Sequence, residues 1–319
     1  MDHLVSRLLE GDTAALARAI TRVESNSEAG RAIHQAVRTR AGNARVLGFT
    51  GAPGVGKSTL INAYITALRG QQRRVAVIAV DPSSPFSGGA LLGDRTRMGR
   101  HAGDADVFIR SVAARGHLGG LSVGIHAVID LVDAAGWDTI ILETVGAGQS
   151  ETEVAEVAEV KIVVNAPGMG DDVQAIKAGI LEIADVLVIN KADLPSAMHT
   201  EMQLRAMLHL RAERNQSVAV VKTIATTDDG IQELIRVVDG LFAARSRESR
   251  KIRLLRRTRH LLAQEASEKV RQFILKADDR TAERIFETVA AGESDYCTAA
   301  DALLREYCDR MNSQASEGT

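Results

Sequence analysis

Two cysteines in 319 residues are too few to staple a small secreted fold. Cys297 and Cys308 stand eleven residues apart in a stretch that reads as helix. At about 1.5 Å of rise per residue that separation is roughly 16 Å, beyond the reach of a disulfide. Aromatic residues make up only 3%, which argues against the stacking platforms of single-strand nucleic-acid binders. Neither sign of charge dominates. The 39 Lys and Arg against 41 Asp and Glu leave a formal net charge of −2, with no global pull toward nucleic acid or an anionic membrane. No run approaches the roughly 18 apolar residues of a membrane span. The first ten residues hold Asp2 and Glu10 and no apolar core, unlike a secretory signal or an acid-poor mitochondrial leader. The expected location is therefore the cytoplasm. His101, His117 and His126 fit no short ligand spacing, so no transition-metal site is expected.

What is present is an ordinary globular composition, 45% hydrophobic and 25% charged, long enough to bury a full core. Residues 1 to about 40 carry Leu4, Leu8, Leu16, Ile20, Val23, Ile33, Ala36 and Val37 at helical spacing, and Gly42-Asn43 ends the pattern. Short apolar runs then alternate with amphipathic stretches, the signature of βα units on a mostly parallel sheet. Strands are expected at Arg45–Thr50, Arg74–Val80, Val107–Val112, Thr139–Thr144, Lys161–Ala166, Val186–Asn190 and Val218–Ile224. Most are nearly continuous in Val and Ile, as for strands covered on both faces. Helices are expected at Lys57–Arg69, Val123–Ala135, Asp172–Ala184, Ser196–Arg214 and Ile231–Ala244, and again over Thr281–Arg310 with a break at Gly292.

From these runs three parts are expected: residues 1–42, a helical segment; 43–245, an α/β P-loop domain; and 246–319, a helical arm. At the boundary of the arm, Arg245, Arg247, Arg250, Lys251, Arg253, Arg256, Arg257 and Arg259 crowd around one acid, Glu248. Leu255, Leu262, Ala266, Val270 and Phe273 run through the same helix as an apolar stripe. It reads as a solvated helix with one buried face, or as a docking surface for an acidic partner or a second subunit.

The chemistry begins at Gly51-Ala52-Pro53-Gly54-Val55-Gly56-Lys57-Ser58, followed by Thr59, which matches the P-loop pattern between a strand and a helix. Its glycines let successive backbone N–H groups face an anion at a helix N-terminus. Lys57 is placed to neutralise β/γ-phosphate charge and Ser58 to ligate magnesium. Asn190-Lys191-Ala192-Asp193, directly after a strand, identifies the base. A carboxylate at Asp193 accepts from guanine N1–H and the exocyclic amine together, a pair adenine lacks. Ala225-Thr226-Thr227 follows the next strand, where a backbone N–H reaches guanine O6.

Ile140–Gly146 supplies a third element: a buried strand ending in Glu143, with Gly146 three residues on. Glu143 holds magnesium directly or through water, and the Gly146 N–H senses the γ-phosphate. Ala147 stands where many GTPases orient water with Gln, so intrinsic hydrolysis is expected to be slow. Asp81 ends the second strand on the same edge, and Asp94 lies in a Gly-rich stretch. For both, a capping or turn acid is the bland alternative. Arg95, Arg97 and Arg110 are within conceivable reach of phosphate, and none is named as a finger.

Taken together, GAPGVGKST, AVDPSSPFSGGALLGDRTRM, ARGHLGGLS, ETVGAGQSE, APGMGDDVQAIKAGILEIAD and NKAD closely resemble the MeaB/ArgK/MMAA group. These are SIMIBI-class G-protein chaperones of adenosylcobalamin-dependent acyl-CoA mutases. The resemblance spans roughly residues 45 to 230, and its motif residues show no departure from the family pattern. It implies a GTP/GDP- and Mg2+-dependent GTPase with a helical arm that forms a homodimer. It implies that Asp81, Asp94 and Glu143, alongside Ser58, are magnesium and catalytic acids. It also implies a switch over Ala166–Lys177, with Asp171 and Lys177, that couples nucleotide state to the mutase. The implied work is gating of cofactor transfer from an adenosyltransferase and protection or rescue of the mutase. Methylmalonyl-CoA mutase is the expected client, with isobutyryl-, 2-hydroxyisobutyryl- and ethylmalonyl-CoA mutases as alternatives. Rival readings are a nickel-insertion GTPase, which would place Cys or His ligands near the G motifs, and a small-molecule P-loop kinase, which the guanine tetrad opposes.

Overall fold

The computed structural model describes residues 2–25, 27–82, 99–101, 103–114, 121–144, 157–168, 184–209, 218–245, 250–277 and 280–317. The first helical stretch is three helices, α1 (Asp2–Leu9), α2 (Thr13–Glu24) and α3 (Glu28–Val37). Gly11, at φ 84°, turns the chain into Asp12, whose carboxylate accepts from the Ala14 and Ala15 N–H groups at 2.8 and 3.0 Å. Ser27 caps α3 by accepting from Gly30 N–H at 3.2 Å. Side-chain caps of this kind satisfy donors that a helix start leaves open.

Among the described residues seven strands follow: β1 (Arg45–Thr50), β2 (Val75–Pro82), β3 (Val107–Ala114), β4 (Thr139–Thr144), β5 (Val160–Asn165), β6 (Val186–Ile189) and β7 (Ala219–Lys222). They form one sheet in the order β3-β2-β4-β1-β5-β6-β7, and every pairing is parallel. The expected α/β parallel-sheet class is therefore the observed one. Interleaved helices are α4 (Lys57–Gly70), α5 (Leu121–Ala134), α6 (Ala197–His209) and α7 (Ile231–Arg245). The expected helix Asp172–Ala184, except Ala184, and the end of Ser196–Arg214 beyond His209 lie outside the described residues.

The sheet is buried on both sides, which explains its near-continuous Val and Ile. On one face Leu60, Ile61, Ile65 and Leu68 of α4, with Leu234, Ile235 and Val238 of α7, pack on Leu47, Phe49, Val77 and Ile141. On the other, Leu16, Ile20, Ile33 and Val37 join Ile125, Val128, Ile129 and Val132 of α5 against Ala76, Ile78 and Leu142. Each such side chain, at essentially zero exposure, contributes about 1.5–3 kcal/mol by leaving water. Polar brackets fix the seams. Asp133 of α5 accepts from Gly42 N–H and, at 3.0 Å each, from the N–H groups of Asn43 and Ala44. Burial nevertheless raises its pKa, the backbone hydrogen bonds opposing that rise. Asp239 of α7 binds Arg45 at 2.6 Å and Arg73 at 2.7 Å, and the Arg73 hydrogen bond lowers its pKa.

The chain divides into two compact units, Met1–Leu254 and Leu255–Thr319. The second contains most of α8 (Arg250–Lys276), then α9 (Arg280–Ala290) and α10 (Tyr296–Glu317). Gly292, at φ 75°, sits in the expected break between α9 and α10. Phe273 meets Tyr307 edge to face with centroids 5.1 Å apart, and Ala282, Ala299 and Leu303 are buried. The stripe on α8 is not one buried face. Leu255 and Leu262 are 58% and 65% exposed, whereas Val270 and Phe273 are half-buried. Both cysteines are exposed and free on α10.

Candidate functional site

β1 lies at the centre of the sheet between β4 and β5, where strand order reverses. Open parallel sheets bind ligands beyond the carboxyl ends of their strands at such a point. The residues 51–56 turn here from β1 into α4. Gly51, Gly54 and Gly56 have φ of 144°, 84° and 90°, a path that residues with a Cβ rarely follow. A Cβ on Gly51 would also run into the Val164 carbonyl of β5, and one on Gly56 would stand 2.5 Å from Asn190 Nδ2. Val55 is buried at 1% exposure, Ala52 half-buried, and Pro53, Gly54 and Thr59 have open surfaces. Lys57, 8% exposed, lies back over the loop and donates to the carbonyls of Gly51 and, at 3.2 Å, Ala52.

Ser58 and Glu143 are 85 positions apart in sequence, yet Ser58 Oγ donates to Glu143 Oε1 at 2.7 Å. The sheet arranges this. Glu143 pairs with Phe49 of β1 on one side and Ala79 of β2 on the other, so it arrives beside the first turn of α4. Asp81 stands two residues beyond Ala79 on β2, opposite Ala113 of β3. A hydroxyl and a 2%-exposed carboxylate beside a glycine-lined helix start are a suitable hard-oxygen donor set for Mg2+ next to phosphate.

The turns at 190–193 and 223–226 are tied to the 51–56 loop through Asn190, which is 2% exposed. Its Nδ2 donates to Val55 O at 2.9 Å. Its Oδ1 accepts from Ala225 N–H and Thr223 Oγ1, both at 3.2 Å. Lys191 takes a left-handed conformation at φ 56°, and its Nζ donates to Gly54 O at 2.8 Å. Asp193 and Thr226 are exposed, and Ala225 is buried. Three expected elements (51–58, 190–193 and 225–226) thus meet at one sheet edge. Thr223 escaped the sequence reading. Its only signal was its place between β7 and Ala225, and its partner lies 33 positions away.

Asp94, Gly146, Asp171 and Lys177 lie outside the described residues, as do Arg95, Arg97 and His117. Arg110 is engaged elsewhere: its Nη2 donates to Thr21 Oγ1 at 3.0 Å and meets Glu24 at 3.3 Å on α2. A cleft of about 440 Å3 opens at the opposite edge of the sheet, beside Arg45, Arg73 and Trp137. Both arginines there are paired with Asp239. Among the described residues no three His, Cys, Asp or Glu side chains group as a metal site, and no helix is long and apolar enough to cross a membrane.

Comparison with known proteins agrees with this geometry. The model of the family described as "Methylmalonyl Co-A mutase-associated GTPase MeaB" matches residues 16–279. A Pyrococcus abyssi protein carrying a provisional GTPase name is 42% identical over 315 residues, 96% of each chain. The mouse protein named methylmalonic aciduria type A homolog, mitochondrial, is 36% identical over 253 residues, 73% of this chain and 61% of its own. Among solved structures, a LAO/AO transport system kinase superposes with a TM-score of 0.73 at 28% identity, covering 96% of this chain and 97% of that one. With a glycine-lined loop, a Ser–Glu pair and the Asn190–Asp193 turn gathered at one sheet edge, and the family model matching residues 16–279, the chain belongs to the MeaB family of GTPases.

Proposed function

We propose that this GTPase serves an adenosylcobalamin-dependent acyl-CoA mutase, using its nucleotide state to gate cofactor loading and to protect or reactivate the enzyme. Methylmalonyl-CoA mutase is the client favoured by the family's description; isobutyryl-, 2-hydroxyisobutyryl- and ethylmalonyl-CoA mutases share the chemistry. The observation that carries the reading is the coupling through Asn190, which joins the phosphate loop at Val55 to the base side at Ala225. A site built that way responds as one body to GTP or GDP, which a switch requires.

In this reading Lys57 leaves the loop carbonyls for the β/γ-phosphates, and Asp193 accepts from the guanine edge. Ser58 and Glu143 hold Mg2+, with Asp81 and Asp94 as further acids. The metal, when bound, neutralises phosphate charge. Gly146 reports the γ-phosphate, and Asp171 and Lys177 belong to the switch that couples nucleotide state to the mutase. With Ala147 at the usual water-orienting position, turnover is slow until the partner assists. The exposed Leu255 and Leu262 support a homodimer formed through the second unit, and an adenosyltransferase is a further partner. The working compartment is the cytoplasm. Steady-state GTP hydrolysis measured with and without each candidate mutase tests the reading. Acceleration by one of them is expected, and failure of all of them sinks the chaperone role while leaving the GTPase intact.

A further inference from the structure

We infer that the cleft at the amino-terminal edge of the sheet is a ligand site, and that its ligand is a small organic acid presenting one carboxylate to Arg45 and Arg73. Arg45 and Thr139 begin β1 and β4, so the cleft lies at the opposite ends of these strands from the 51–56 loop. The inference stands apart from the nucleotide and the client.

The cleft holds about 440 Å3, a size that suits a small molecule. Its wall carries hydrogen-bonding groups that the fold leaves unused. Trp137 and Thr139 line it, and each is 2% exposed. Neither the Trp137 indole N–H nor the Thr139 hydroxyl has a partner among the described residues. Buried polar groups left so point to a bound water or ligand. Gln72 also lines the cleft, and its backbone is costly for a glutamine. Arg73 N–H donates to Leu68 O at 3.2 Å and Gln72 N–H to Arg69 O at 2.9 Å, which closes α4 as a Schellman motif. The left-handed position of that motif usually takes glycine, and here Gln72 occupies it at φ 60°. A side chain at the cleft is kept where glycine would relieve the backbone.

Charge sets the class of the ligand. Arg45 and Arg73 share one carboxylate, Asp239: Arg45 Nη1 donates to it at 2.6 Å, and Arg73 Nη1 and Nη2 at 3.0 and 2.7 Å. A guanidinium has five N–H donors, so both arginines keep donors for a second carboxylate, whose two oxygens match the guanidinium fork. The two acids in the wall are already engaged. Asp133 accepts from the N–H groups of Gly42, Asn43 and Ala44, and Asp138 accepts from Arg74 N–H at 2.7 Å. Two arginines on one carboxylate leave a place for one more negative charge, and the nearby acids oppose a further one. A monocarboxylate therefore fits better than a phosphate dianion.

Trp137 is the one tryptophan of the chain, so its indole N–H is a single reporter in the cleft wall. The test follows that resonance in nitrogen–proton correlation spectra of the full chain during titration with acetate and with lactate. Sodium chloride and inorganic phosphate at matched ionic strength are the controls. At least one carboxylate should shift the resonance saturably, chloride should not, and phosphate should bind several-fold more weakly. Arg45→Gln, which leaves Arg73 to pair with Asp239, should weaken carboxylate binding by about tenfold, the contribution of one charge-assisted hydrogen bond. If that variant fails to fold, Gln72→Gly is read in its place. It should melt higher than the parent, because the left-handed backbone is relieved, and still bind the carboxylate roughly threefold more weakly. The absence of a saturable shift with both acids overturns the site. Phosphate binding as tight as the carboxylate overturns the ligand class, and unchanged affinity in the variant overturns the arrangement of the site.

Discussion

Replacing Asn190 by Ala should unfasten the two halves of the nucleotide site, and the structure sets the size of the effect. The side chain is 2% exposed and makes three close hydrogen bonds, at 2.9 Å to Val55 O and at 3.2 Å from both Thr223 Oγ1 and Ala225 N–H. Truncation orphans a buried carbonyl, a buried amide and a hydroxyl. Each buried orphan costs about 1–3 kcal/mol. The Thr223 hydroxyl can rotate toward another acceptor, and the space left by the amide admits water, so the three costs do not simply add. A loss of about 2–5 kcal/mol is expected. Urea unfolding followed by circular dichroism reads it as a lower midpoint at unchanged slope. Asn190→Asp is the informative companion, since it keeps an acceptor for Ala225 N–H while turning an oxygen toward Val55 O. A loss below about 1 kcal/mol in Asn190→Ala would refute the claim that this residue ties the phosphate loop to the base loop.

Glu143→Gln keeps an oxygen for the Ser58 hydroxyl, so the fold should hold while Mg2+-supported GTP hydrolysis falls by about 100-fold; an undiminished single-turnover rate would remove Glu143 from the metal site. Asp239, whose pKa is lowered chiefly by Arg73, should make stability pH-dependent. A depressed folded pKa gives stability that is fully present above the ordinary aspartate value of 3.8 and is lost as pH falls through the folded value. Asp239→Asn should therefore melt lower at neutral pH, with the gap closing in acid below that range; a gap independent of pH would contradict the ion pair's role. Leu262→Glu, at a 65%-exposed position, should leave the helical circular dichroism of the folded chain unchanged. It should shift sedimentation from dimer to monomer, and a monomeric parent would contradict the proposed dimer.

Much of the fold was readable because parallel strands buried on both faces spell themselves out in Val and Ile. β1 and β4 fall at the expected residues, and β5 begins one residue early at Val160. The helical beginning was harder. Apolar spacing runs on through Gly11-Asp12 and Ser25–Ser27, and only the caps at Asp12 and Ser27 divide it into three helices. The α8 stripe misled for a related reason: periodicity shows that residues share a face, not that anything covers it. Leu255 and Leu262 remain open. In the candidate site, the 51–58 loop and the 190–193 turn stand out in the sequence because their patterns are local. The pairing of Ser58 with Glu143 and the hub at Asn190 depend on sheet register, which brings together positions 85 and 135 residues apart. Spacing along the chain does not encode that.

The most direct test of the central claim is single-turnover hydrolysis of GTP and of ATP by the purified chain in Mg2+, with Lys57→Ala as the control. GTP should be cleaved slowly, ATP should remain essentially intact, and Lys57→Ala should cleave neither. Equal cleavage of ATP and GTP would contradict the assignment of Asn190 and Asp193 to guanine, and full activity in Lys57→Ala would contradict the phosphate site itself.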